Sequence, residues 1–410
     1  MPKLNPESLP PDAPFSTRLK YFRERTGKTR AVVGGLVGRS ADWVKSLETG
    51  KIAMPRLQML IRLAEVVDVD DLGKLTGDHR MSRAIYTKHA HDALDSIRDA
   101  LASYPMPPPN TNPIPADILT GRVQQAWRGW HTSRYERDAV AGVLPGLIAD
   151  ARTSVRLLDG NDRRKAAQQL AQAYHIAQLY ASHQPAPELV YMTGDRAMHA
   201  AQDSDNPAAM AGAAWYLNHV WRDAGEAAEA RVEIAHDVAG MLRPADSSND
   251  RALFALMHLA IALSHAKLGR EGDAWRHHNE AKKAAKSLGA GYAHPWLMIG
   301  SGMVAHYAVT IHLDLQQPGL AAQAANNIDP AAIPSRTRQS RYLVEVARAH
   351  HREGDNVAAV HLMNKADEVS GDTFAFSIFA QSIVAEMLPN PPATVAEDVR
   401  KLARTLRLLA

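Results

Sequence analysis

At 410 residues, 46% of them hydrophobic, the chain is long enough for two or three domains with a sizeable core. It has no cysteine, which excludes disulfides, thiolate zinc sites and cysteine nucleophiles and suits a cytoplasmic location. The net charge is only +3, so a surface for a polyanion has to be a local concentration of Lys and Arg.

Residues 1–14 carry prolines and polar side chains where a signal peptide needs an apolar run, and they read as a disordered lead-in. Leu19, Phe22 and Arg23 lie on a first helix that Ser16 can cap. From Thr29 to Gly50 the spacing is that of a helix-turn-helix. Thr29 is the N-cap of a helix with the apolar stripe Val32, Val33, Leu36 and Val37, on which Gly34 and Gly35 admit a second helix at close range. Gly38 supplies the bend and Ser40 caps the next helix, turning Val44 and Leu47 inward and leaving Asp42, Lys45 and Ser46 outside. Pro55 suits the first position of a helix with Leu57, Leu60, Ile61, Leu63 and Ala64, and a short turn with Leu72 and Leu75 precedes Gly77. Between residues 15 and 62 stand eleven Lys or Arg against the acids Glu24, Asp42 and Glu48, a local net of +8.

Five short helices over residues 15–77, with Glu48 and Gly50 closing the second helix of the motif, resemble the lambda-repressor-like XRE family of transcriptional regulators. The resemblance implies that this second helix enters the major groove of a double-stranded, palindromic operator, its N-terminal residues facing base edges. The candidate contacts are Thr29, Arg30, Arg39, Ser40, Ala41, Asp42, Lys45, Ser46 and Lys51. In this family a Gln usually opens the preceding helix. Here Arg30 stands in its place, and a guanidinium can also hold a phosphate. Asp42 either caps the helix start, the favoured reading, or accepts from a cytosine amino group. Trp43 reads as a packing residue.

Residues 78–115 form a connection. Ile85, His89, Leu94, Ile97 and Leu101 suggest one amphipathic helix over 78–104, attached to the DNA-binding unit or serving as a dimer arm, and six prolines between 105 and 115 make a stiff linker.

Residues 116–410 show almost no strand signal. Helical segments recur in pairs, among them 118–133 with 137–158, 296–316 with 320–328, and 336–353 with 357–369, before 374–388 and 395–409 close the series. A helix end, a Gly and an Ala five residues later recur as Gly225 with Ala230, Gly269 with Ala274, Gly319 with Ala324 and Gly354 with Ala359. This is similar to the tetratricopeptide repeat and predicts an α-solenoid, so the expected fold is all-α throughout. The stretch 295–311 is apolar but too short, and too interrupted by His306 and glycines, to span a bilayer, which predicts no membrane partner.

Nineteen histidines yield no spacing that completes a metal site, and no nucleotide or hydrolase motif is present, so neither metal, cofactor nor enzyme is expected. Superposing the turn glycines puts Trp215, Asn218, His219, Arg222, His306, Gln316, Arg341, Arg348 and Arg352 on the inner face as candidate ligand contacts. Arg341, Arg348 and Arg352 share one stripe suited to a carboxylate, for which the plain alternative is a solvated basic face with Asn218 bonded inside the stack. An XRE-type unit joined to such repeats resembles the RRNPP peptide-pheromone receptors. That resemblance implies a homodimeric quorum-sensing regulator whose DNA affinity changes when a peptide or other small signal fills the solenoid. Two rival readings are a DNA-tethered scaffold that recruits a protein partner, and a metabolite sensor with an apolar pocket around Trp127, Trp130 and Trp215. An open basic groove would support peptide, a closed aromatic cavity a metabolite.

Overall fold

The structure is a computed structural model that describes residues 9–10, 13–55, 57–69, 72–77, 88–104, 106, 108, 110–224, 227–289 and 291–409. Among the described residues the regular structure is entirely helical, as the sequence predicts.

Five helices build the N-terminal unit: α1 (Phe15–Arg25), α2 (Arg30–Leu36), α3 (Ala41–Glu48), α4 (Leu57–Val66) and α5 (Leu72–Thr76). Their core is separate from that of the rest of the chain and gathers Leu19, Val33, Val37, Val44, Leu47, Leu60, Leu63 and Leu72. Thr29 and Ser40 cap α2 and α3 as expected, accepting from the amides of Val32 and Trp43, both at 3.2 Å. Ser16 does not cap α1, because the helix begins one residue earlier, at Phe15, behind Pro14. Of the apolar stripe on α2 only Val33 and Val37 are buried, while Val32 and Leu36 are 48% and 60% exposed. A seven-residue helix is too short to bury more than one narrow face. Residues 1–8 of the expected lead-in lie outside the described residues. Ala13, however, is buried, and its carbonyl takes Arg18 Nε at 2.6 Å, so order begins ahead of α1.

The remainder comprises α6 (Leu94–Ala102), α7 (Ala116–Thr132), α8 (Glu136–Ala141), α9 (Leu144–Leu157), α10 (Gly160–Ala181), α11 (Pro187–Asp203), α12 (Pro207–Ala224), α13 (Ala228–Met241), α14 (Ser248–Lys267) and α15 (Glu271–Lys286). After a long loop follow α16 (Ser301–Asp314), α17 (Pro318–Ala325), α18 (Arg336–Arg352), α19 (Asn356–Val369), α20 (Gly371–Ala375), α21 (Ile378–Met387) and α22 (Ala396–Thr405). Antiparallel neighbours stack in chain order, which confirms the helical hairpins.

Four expectations are corrected. Among the described residues the connecting helix spans 94–102. Its Leu94, Ile97 and Leu101 join the repeat core, and Arg196 donates to the Leu101 carbonyl at 2.7 Å, so it belongs to neither the DNA-binding unit nor a free arm. Residues 78–87, with Ile85, lie outside the described residues. The single helix expected over 137–158 breaks into α8 and α9, because Pro145 has no amide to continue the ladder and enters in the first turn of a new helix. The helix expected from 296 begins only at Ser301, and Trp296 sits on the preceding loop. The helix expected over 374–388 is interrupted at Ser377, whose hydroxyl caps α21.

The turn motif holds with one shift of register. Gly269 and Gly354 are left-handed, at φ +72° and +85°, and Ala274 and Ala359, five residues on, are fully buried. In the α16–α17 hairpin the left-handed residue is Gln316 (φ +61°), the buried alanine is Ala321, and Gly319 lies inside α17. Gly225 lies outside the described residues, and Ala230, expected to pack against the preceding helix, is exposed. Ten residues before each of the positions 225, 269, 316 and 354 stand Trp215, Leu259, His306 and Val344, all buried between helices. Those positions therefore face the stack and not an inner surface.

The repeats do not end as an open superhelix. Beginning meets end where Glu136 and Arg137 of α8 reach α20. Fully buried Glu136 accepts from Ser370 Oγ at 2.7 Å and Thr373 Oγ1 at 2.6 Å, with Arg137 Nη1 at 3.3 Å. The Arg137 amide donates to Asp372 at 2.9 Å, and its guanidinium lies 4.2 Å from the Phe376 ring centroid. A second contact joins α7 to α18, where His131 meets Ser335 Oγ at 2.9 Å.

Candidate functional site

The outward face of the helix-turn-helix is set by what its inward face must satisfy. Gly34 lies where α2 meets the start of α3, and a Cβ there would stand 2.7 Å from the Arg39 carbonyl oxygen and 2.9 Å from that of Ser40. Because the obstacle is backbone, Gly34→Ala should shift α3 and lower stability by about 1–3 kcal/mol. Urea unfolding of the N-terminal core checks this, and no change would mean that α3 is not seated by this contact. Gly35 meets nothing within 4 Å, so only the first of the pair has the expected role. Gly38 makes the bend at φ +68°.

Glu48, expected merely to end α3, is the buried anchor of the motif. Its carboxylate accepts from Arg23 Nε, from Arg23 Nη2 at 3.2 Å and from Arg30 Nε at 2.7 Å. The bond to Glu48 raises the Arg23 pKa above its ordinary value, against the opposing effect of burial. Arg30 is half-buried, and its Nε holds the recognition helix through Glu48, a role beside the expected phosphate contact. It steadies α3 from the position at which the resemblance expects a Gln.

Thr29 at the start of α2, Arg39, Ser40, Ala41 and Asp42 at the start of α3, Lys45 farther along it and Lys51 just past its end are exposed. Lys45 and Lys51 form no ion pair among the described residues. Arg39 lies 5.8 Å from the Trp43 ring centroid, while Trp43 itself packs on the core as expected. The hydroxyl of Ser46 donates to the Asp42 carbonyl at 2.8 Å, so it is partly taken up by its own helix. The cap comes from Ser40 and not from Asp42, which leaves the Asp42 carboxylate facing outward in the first turn. Sequence reasoning found this face but missed Glu48, since a buried acid at a helix end is recognisable only once Arg23 and Arg30 converge on it.

In the repeats, the nine candidate ligand residues separate. Trp215 is buried, packed edge-on against His219 at 4.4 Å and Tyr307 at 5.7 Å between ring centroids. Asn218 donates to the Ala214 carbonyl at 3.0 Å and receives Ser264 Oγ at 3.4 Å, bonded inside the stack. Neither is open to a ligand. Arg348 pairs with Glu345 at 3.4 Å and stacks on Phe379. Arg352 donates to the Leu313 carbonyl at 3.3 Å and to exposed Gln316 at 3.4 Å. The stripe is therefore not a row of unpaired guanidiniums; Glu345 and Asp314 lie among its charges, and burial pushes the Glu345 carboxyl up. Arg222 lies near Glu345 and His219. Arg341 is exposed and forms no ion pair among the described residues, and its charge acts on Tyr216, His219 and His183.

What fills the interior instead is aromatic. Trp296 stacks on Trp127 (5.3 Å), His175 (5.7 Å) and Tyr216 (6.5 Å), and Trp127 stacks on His131 (5.4 Å). Burial pulls the pKa values of His131, His175 and His306 down to about 3, so all three are neutral at physiological pH. Neutral His131 donates through Nε2 to the Trp296 carbonyl at 2.9 Å, leaving Nδ1 to accept from Ser335. The ring nitrogens of His175, Nδ1 of His306 and the Tyr216 hydroxyl are buried without a hydrogen-bond partner. No group of three or more metal-ligating side chains able to hold an ion, and no helix long and apolar enough to cross a membrane, occurs among the described residues.

Residues 14–73 match the family described as a helix-turn-helix domain. No curated protein matches the chain. Among solved structures, similarity extends to a Rap protein complexed with competence and sporulation factor, at 10% identity over 72% of this chain and 88% of that one, with a TM-score of 0.43. BtubC from P. vanneervenii is similar at 14% identity over 55% of this chain and 91% of its own, with a TM-score of 0.35. The chain thus carries a helix-turn-helix DNA-binding domain followed by helical hairpins.

Proposed function

We propose that this protein is a sequence-specific, non-catalytic transcriptional regulator that binds a palindromic operator as a homodimer and alters its DNA affinity when the repeats take up a small signal. The observation that carries the DNA half is the outward face of α3. Lys45 on it and Lys51 just past its end are exposed and form no ion pair among the described residues, whereas Arg23 and Arg30 pair with Glu48. Lys45 and Arg39 supply phosphate contacts, and Asp42 and Ala41 stand where base edges would pass.

For the signal, the interior favours a compact molecule over an extended peptide. The stacked rings around Trp127 occupy the interior, and Arg348 and Arg352 already have partners. Of the three tryptophans read as a possible pocket, Trp127 belongs to this stack, Trp130 lies under Arg137 at 5.8 Å, and Trp215 packs elsewhere.

Selection of bound sequences from randomised duplexes by the full chain tests the reading, with enrichment of a two-fold symmetric site expected. Lys45→Ala should weaken binding similarly on all enriched sites and reduce the slope of log affinity against log salt by about 1. Asp42→Ala should instead change the base preferred at one position. Failure to enrich any sequence, or an unchanged salt slope in Lys45→Ala, would overturn the assignment of this face.

A further inference from the structure

Trp296 is held in the repeat interior by a segment that belongs to no helix. The link from α15 to α16, residues 287–300, is far longer than the turns inside the hairpins, and it inserts one indole among the inward rings of three other helices. Trp127, His175 and Tyr216 lie within 28° of parallel to that indole, and Gly212 forms the end of the slot, where a Cβ would collide with the indole edge.

The slot is better matched to something other than an indole. A neutral indole face cannot satisfy the His175 nitrogens or the Tyr216 hydroxyl, which are buried without partners beside it, and each such group left unpaired is costly. Arg338, one turn into α18 from the Ser335 that bonds His131, has a buried Nε with no partner. The cations acting on Tyr216, beside the neighbouring Tyr307, are Arg338 and Arg341, and neither guanidinium has an ion pair among the described residues. Glu345, the acid on the same helix, is taken by Arg348.

We propose that this slot is a binding site for a flat aromatic acid, with the indole of Trp296 as the stand-in that such a ligand displaces. The ring would stack between Trp127 and His175 and meet the Tyr216 hydroxyl, and the acid group would reach Arg338. Displacement costs the Trp296 contacts with Trp127, His175, Tyr216 and His131 but gives partners to the Tyr216 hydroxyl and Arg338 Nε, which the closed form leaves unpaired. The proposal rests on the reading of the repeats as the sensory unit, whereas the DNA-binding face is tested separately by duplex selection, so either can fail alone.

The experiment is titration of the full chain with indole-3-acetate, indole and acetate at fixed ionic strength, followed by tryptophan emission and calorimetry. Indole-3-acetate should bind at least about tenfold more tightly than indole, and acetate not measurably. Arg338→Gln and Tyr216→Phe should each weaken indole-3-acetate by about tenfold or more. Tyr216→Phe removes a hydroxyl with no partner among the described residues, so its thermal stability should not fall, which separates a ligand contact from a folding defect. Trp296→Ala should tighten binding by removing the competitor. Absence of saturable binding of indole-3-acetate to both the native chain and Trp296→Ala would overturn the proposal. So would binding indifferent to both Arg338→Gln and Tyr216→Phe, because a mere cavity would accept indole without them.

Discussion

Replacing Glu136 by Ala is expected to destabilise the repeat unit by about 3–5 kcal/mol, because it leaves the Arg137 charge buried without its counter-charge. Both side chains are essentially inaccessible to solvent, and Glu136 also accepts from Ser370 and Thr373 across the junction of α8 with α20. Burial raises the Glu136 pKa and lowers that of Arg137, so each ion depends on the other and on the surrounding donors. The carbonyls of Tyr180 and Ser182, which Arg137 also reaches at 3.3 and 3.2 Å, place the expected loss toward the lower end of the range. Glu136→Gln keeps an oxygen for Ser370 and Thr373 and should lose less. Urea unfolding followed by tryptophan emission measures both variants, and small-angle scattering should show Glu136→Ala expanding as its two ends separate. A loss below about 1 kcal/mol, the range of an exposed ion pair, would mean that this junction does not hold the repeats closed.

Acidification should weaken the fold strongly before any ordinary carboxylate titrates. His131, His175 and His306 have pKa values near 3 in the folded chain against 6.5 for an unperturbed imidazole. A histidine depressed in this way contributes stability above pH 6.5 that is lost as the pH falls toward 3, since only the unfolded chain takes up the proton. From pH 7.5 to 5.5 each loses about 1.4 kcal/mol, or about 4 kcal/mol for the three together. Glu136 and Glu345 act with the opposite sign, because their raised pKa values favour folding at low pH. The single-residue comparison isolates the histidine effect. His175 has no hydrogen-bond partner and stacks on Tyr216 at 4.7 Å, so His175→Phe should fold at neutral pH and lose about 1.4 kcal/mol less than the native chain on going to pH 5.5. Parallel stability–pH curves for the two proteins would sink the assignment of a buried neutral imidazole at this position.

Features that depend on neighbours a few residues away are legible along the chain. Thr29, Gly38 and Ser40 act on amides and dihedrals within one turn of themselves, so the helix-turn-helix and its exposed α3 face could be read directly. The same holds for three hairpins, where left-handed Gly269, Gln316 and Gly354 are each followed five positions later by a buried alanine. The pattern misled where Gln316 took the left-handed conformation that Gly319 was expected to adopt, shifting the inner-face superposition by three residues, and where Ala230 is exposed. Which charges and rings meet depends on the packing of distant helices. The Glu136–Ser370 bond spans 234 residues and that of His131 with Ser335 spans 204, separations at which neither periodicity nor capping leaves a local trace. Arg30, Arg348 and Arg352 read as free cations because their partners come from other helices or from side chains whose direction the sequence does not show, and the seat of Trp296 was hidden because a loop residue has no helical face to betray it.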